Sequence, residues 1–93
     1  MSARVTTKQL EALAARINEL TSSPAAPWTR DKSGALRANV GNYHLSGAYG
    51  GVCLHRMANE DGGVSTPLVY GHVSKRELFT AMRGFVAGLE VRP

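Results

Sequence analysis

Apolar positions along this chain change period twice. Between residues 7 and 21, Leu10, Leu13, Ala14, Ile17 and Leu20 recur every three or four positions. That spacing makes one stripe of an amphipathic helix. Lys8, Glu11, Arg16 and Glu19 fall on the opposite face. Thr6 precedes the stripe and Gln9 follows three residues later, the pattern of a capping box. Pro24 and Pro27 in "TSSPAAP" cannot continue the helix, so it ends near residue 21 and residues 22–35 are a connector. Trp28 is expected to fold back as a lid on the core. "RDKSG" then reads as a turn built on Asp31, Ser33 and Gly34.

From Leu36 to Tyr70 the period becomes two, with valines, tyrosines and punctuating glycines. Strands are expected at about 36–45, 52–59 and 64–70. "GAYGG" (47–51) and "EDGG" (60–63) are short glycine-rich connectors, so both strand pairs should be antiparallel hairpins. Gly41 suggests a bulge or a close backbone contact, and Pro67 makes the third strand an edge. The period of 3.6 returns at about 75–89. Ser74 and Glu77 form a second capping pattern, with Val73 and Leu78 placed for a hydrophobic staple. Leu78, Met82, Phe85, Val86 and Leu89 make the buried stripe, with Phe79 at its margin. The predicted class is α+β in the order α-β-β-β-α, a three-stranded antiparallel sheet with two helices packed on one face. The other face stays open, to water or to a partner.

Length fixes the scale of this picture. Ninety-three residues make a single domain, 1–93. A chain of that size buries only about 60–65% of its unfolded surface. One cysteine, Cys53, excludes an internal disulfide and fits a reducing compartment. Neither a signal-peptide pattern nor a run of about 20 apolar residues is present, so a cytoplasmic protein without a membrane span is expected. The net charge of +4 is spread along the chain and mildly favours anionic partners.

Reactive residue types crowd into "NYHLSGAYGGVCLHRM" (42–57). Cys53 and His55 share one face of a strand, the placement of a thiol and a base. No nucleophile elbow precedes Cys53 and no third group is placed to orient the imidazole, so no enzyme is expected. His44, Cys53, His55 and His72 are possible metal ligands, yet no pair has the short spacing of a zinc site. Neither a metal nor a cofactor is expected. "SGAYGG" has the glycines of a phosphate loop without its lysine or its following helix. Lys75 and Arg76 stand in the first turn of the second helix, where they oppose the dipole unless they face an anion. Glu60 and Asp61 are adjacent acids in a turn, which a solvated loop explains.

Two resemblances follow from these stretches. The order α-β-β-β-α, with "GHVSKRELF" opening the last helix, resembles at the level of topology a double-stranded RNA-binding domain. Ser74, Lys75 and Arg76 match that family's cap and basic pair, which implies phosphate contact across a groove. Leu78, Phe79, Met82 and Phe85 stand where the family's alanine-rich second helix would be. "NVGNYHLSGAYGGVCLHRM" and "KRELF" are similar in style to a small protein family of tailed phages and prophages. That similarity runs from "PWTRD" to the final helix and implies a virus-encoded accessory protein in a host cytoplasm.

The expected function is therefore a non-enzymatic phage accessory protein that binds a host protein or a small anionic, nucleotide-type ligand. Its expected site is the open sheet face and the 47–51 loop, with Tyr43, His44, Tyr49, Cys53, His55 and Arg56 in contact. A small core and an open sheet also favour a homodimer. The alternative is a nucleic-acid-binding module that uses Arg37, Lys75, Arg76 and Arg83.

Overall fold

The computed structural model describes residues 4–69 and 71–91. It is an α+β fold of two helices, a three-stranded antiparallel sheet and a separate two-stranded hairpin. Helix α1 spans Thr7–Leu20. Thr6 Oγ1 accepts the Gln9 N–H at 3.2 Å and Gln9 Oε1 accepts the Thr6 N–H at 2.8 Å, which completes the capping box. Val5 and Leu10 flank that cap and both enter the core, as a hydrophobic staple requires. The helix stops before Pro24, at a Schellman turn. Ser22 adopts φ 56°, its N–H reaches Glu19 O, and the Ser23 N–H reaches Asn18 O at 2.8 Å.

The expected first strand, 36–45, is two strands. β1 (Trp28–Arg30) pairs with β2 (Leu36–Ala38) as a hairpin of its own. β3 (Tyr43–Ala48) then begins the main sheet. The break lies at residues 39–42, where Gly41 takes φ 96° and Asn42 is fully buried. Asn42 Nδ2 donates to Pro24 O at 2.8 Å, which ties the break to the end of α1. The expected bulge is present at this break: the Gly41 N–H reaches Met57 O and the Met57 N–H reaches Asn42 O, both at 2.9 Å, so Gly41 and Asn42 together oppose one residue of β4. Trp28 is a strand residue at 43% exposure, not a lid on the helix-side core. Its ring lies over Gly62, where an added Cβ would meet Trp28 Cη2 at 2.7 Å.

β4 (Gly51–Met57) is the central strand. It pairs with β3 from Tyr43↔Arg56 to Ala48↔Gly51. Its other edge meets β5 (Val64–Ser65) at one end and Val73 at the other. The expected strand 64–70 thus shrinks to two residues and a single bridge; residue 70 lies outside the described residues. Pro67, which has no N–H to give, interrupts the edge. Gly51 allows the Val73 segment to approach, since a Cβ there would lie 2.9 Å from Val73 O. Helix α2 spans Lys75–Glu90, with Ser74 Oγ accepting the Glu77 N–H at 3.1 Å.

Both helices pack on one side of the three-stranded sheet, α1 over β3 and α2 over β4. The core joins Leu10, Ala14 and Ile17 of α1 to Leu78, Met82 and Val86 of α2 and to Leu54 of β4. Arg16 bridges Glu90 at 3.0 Å across the helix pair and also pairs with Glu19. Strand alternation assigns the faces. Tyr43, Leu45, Val52 and Leu54 point to the helices. His44, Ser46, Cys53, His55 and Met57 point away from them.

Candidate functional site

The helix-free face gathers all three histidines of the chain. Register places His44 directly opposite His55 on β3 and β4. Their ring centroids are 5.7 Å apart, edge to face. The third, His72, comes from the segment before α2. Its backbone neighbour Val73 exchanges both hydrogen bonds with Val52, at 2.7 and 2.8 Å. That pairing holds the His72 ring 6.1 Å from His55. His72 Nε2 lies 3.2 Å from Ser46 Oγ on the far strand, so the imidazole crosses β4 to reach β3. Tyr49 extends the row, with its ring 6.1 Å from His72.

Cys53 sits on this face opposite Ser46 and is fully buried. Burial pushes its thiol pKa up, opposed in lesser measure by a contact to Leu54 O. A thiol held neutral is a poor nucleophile. The Cys53–His55 pair is thus a packed strand residue beside a half-buried imidazole. Met57, on the same face, is buried outside the helix-side core.

The electrostatics of the row follow from its neighbours. Between residues 42 and 55 there is no Asp, Glu, Lys or Arg. Desolvation, and then the charge His55 would carry, lower the pKa of His44 from its ordinary 6.5. His55 is lowered in the same way by desolvation and then by His72. His44 and His55 are accordingly neutral imidazoles at pH 7. His44 Nδ1 lies 3.1 Å from Oδ1 of buried Asn42. Since Asn42 Nδ2 is committed to Pro24 O, that oxygen accepts and His44 carries its proton on Nδ1. Its Nε2 lone pair is left for a ligand or water. Among the described residues, no group of three or more His, Cys, Asp or Glu side chains is arranged to hold a metal ion.

Of the expected contact residues, His44, Tyr49, Cys53 and His55 lie on or beside this row. Tyr43 and Arg56 do not. Tyr43 faces the helices, 6.0 Å from the Phe85 ring, and the Arg56 guanidinium stands 5.8 Å over Tyr43. The tip residue Tyr49 is 99% exposed and holds φ 54°, followed by Gly50 at φ 74°. Two consecutive left-handed residues make the two-residue turn that matches strand twist. His72 and Ser46 were not expected at the site. Nothing near "GHVSK" marks His72 for a sheet face; only its long-range pairing with Val52 puts it there.

The four residues of the nucleic-acid alternative are carried by two elements, Arg37 by β2 and the other three by α2. Arg37 belongs to β2 and is spent on Asp31 and Glu60, both at 3.2 Å. Lys75 and Arg76 open α2, while Arg83 stands two turns later over Phe79 at 6.0 Å. Among the described residues, no helix is long and apolar enough to cross a membrane. No protein-family model, curated protein or solved structure matches this chain.

Proposed function

We propose that this chain is a non-enzymatic binding protein that takes a partner on its helix-free sheet face. The observation that carries the reading is the convergence of His44, His55 and His72, from three separate stretches of sequence, into one row. The neutral imidazoles of His44 and His55 offer flat apolar faces together with a donor and an acceptor each. That combination suits contact with a protein surface better than with a bare polyanion, which would seek permanent positive charge. A neutral, buried thiol at Cys53 argues against nucleophilic chemistry in the same place. The similarity of style to small tailed-phage proteins supports a host protein as the partner and a host cytoplasm as the setting.

The test is affinity capture from bacterial lysate with two baits, the wild-type chain and the His44→Ala/His55→Ala/His72→Ala variant. Circular dichroism first establishes that both fold. Capture of a protein by the wild type and its loss with the variant is the expected result. Equal capture by both baits would place the contact elsewhere. In parallel, a single-stranded oligonucleotide is titrated at about 50 mM salt, where phosphate contacts are strongest. Tight, salt-sensitive binding there would favour the nucleic-acid reading instead.

A further inference from the structure

The outer edge of β3 is a built strand-pairing site, and we propose that it pairs with the β3 edge of a second copy of this chain. In the three-stranded sheet β3 is terminal, and among the described residues no strand lies beyond it. The ladder to β4 uses Asn42, through Met57 N–H to Asn42 O at 2.9 Å. Antiparallel alternation then turns the N–H and C=O groups of Tyr43, Leu45 and Gly47 outward. Those of Tyr43 are taken by buried Asn18, which accepts at 2.7 Å and donates at 2.9 Å. Leu45 and Gly47 present two donors and two acceptors with no such cap.

Exposed edges are usually guarded by charge, proline or a bulge. Here residues 42–55 carry no formal charge and no proline. A two-fold antiparallel pairing sets the strand against its own copy, so any charge on it would meet the same sign close by and a neutral strand suits it. The register that satisfies all four outward groups sets Leu45 against the partner's Gly47 and the partner's Leu45 against Gly47. Ser46 then meets the partner's Ser46 on the axis. The same register carries the partner's Tyr49 past Tyr43, to the mouth of a groove of about 260 Å³. That groove is lined by Tyr43, His44 and Leu45 of β3 and by Glu11, Asn18 and small alanine side chains opposite them. It gives the fully exposed tip tyrosine a place to bury its ring.

Pairing along β3 engages His44 and Tyr49 at one end of the histidine row and leaves His55 and His72 outside the interface, and the dimer test reads the edge itself, not the function proposed above.

The test uses the full chain in light scattering coupled to gel filtration, with three variants. Wild type should run at twice the 9.9 kDa chain mass. Gly47→Lys should run as a folded monomer. Gly47 is exposed, its φ is not positive, and a Cβ there meets only Gly51 O at 3.8 Å, an ordinary contact. Ser46→Cys should form a disulfide dimer on mild oxidation, because directly opposed residues of this type lie about 4.5 Å apart in Cα terms. His44→Cys should not, since its own copy lies roughly 13 Å further along the strand. The native Cys53 is fully buried and does not compete. A monomeric wild type, a dimeric Gly47→Lys, or cross-linking of His44→Cys in preference to Ser46→Cys would each overturn the proposal.

Discussion

Asn18 is the polar residue on which the edge of the sheet depends. It lies on the buried face of α1 at 4% exposure, between Ile17 and the last turn. Its side chain acts as a one-residue strand, accepting from Tyr43 N and donating to Tyr43 O. Replacing it with leucine keeps the branch at Cγ and removes both bonds. Each backbone group left without a partner costs about 1–3 kcal/mol. The lower half of that range applies, because Tyr43 stands at an edge that water can partly reach. The expected loss is about 2–4 kcal/mol for the pair. A domain of this length holds roughly 5–14 kcal/mol in total. Urea unfolding followed by circular dichroism should therefore show a large fall in midpoint with an unchanged slope. Asn18→Asp separates the two bonds. It keeps the acceptor for Tyr43 N–H but faces the Tyr43 carbonyl with a second oxygen, so it should destabilise nearly as much at pH 7. Hydrogen exchange at the Tyr43 amide should accelerate in Asn18→Leu beyond the global change. If Asn18→Leu loses less than about 0.5 kcal/mol, within the range of neutral surface changes, the side chain is not the cap it is argued to be.

Two further outcomes follow from the same geometry. His44 and His55 have folded-state pKa values below the ordinary 6.5, so the unfolded chain binds more protons as pH falls through that value. The stability they contribute is complete above about pH 7 and is lost as pH drops from 6.5 through the depressed values. The urea midpoint should fall between about pH 7.5 and pH 5, where most carboxylates stay ionised, and His44→Gln/His55→Gln should flatten that fall. An unchanged slope in the double variant would mean that the titrating groups lie elsewhere. Gly62→Ala should release the β1–β2 hairpin, since the new methyl collides with Trp28 Cη2 and the position also holds φ 97°. A red-shifted, more quenchable Trp28 emission at an otherwise folded circular-dichroism spectrum is expected; an unaltered emission would place the ring elsewhere.

The sequence made some of this architecture readable and concealed the rest, for reasons that can be assigned to particular residues. Both helices were legible because their stripes and caps are local. Thr6 with Gln9, and Ser74 with Glu77, act within one turn of the residues they serve. The face assignment on β3 and β4 was legible too, since period two needs only neighbours. What failed was everything decided across the chain. Residues 36–45 read as one strand because Asn39 and Asn42 look like ordinary polar positions. Their role as ties to Ala26 and Pro24 depends on where α1 ends. Trp28 read as a lid because nothing near it reveals that Gly62, thirty-four residues on, leaves a place for its ring. His72 read only as a possible metal ligand with no place on the sheet, for the same reason. It becomes a sheet residue only when Gly51 admits the Val73 backbone at a distance no side chain would allow. The third member of the histidine row is therefore placed by a glycine that carries no chemistry of its own. A methyl at Gly51 would lie 2.9 Å from Val73 O and 3.0 Å from the His72 carbonyl carbon, so Gly51→Ala should displace His72 while His44 and His55 stay opposed through the β3–β4 register.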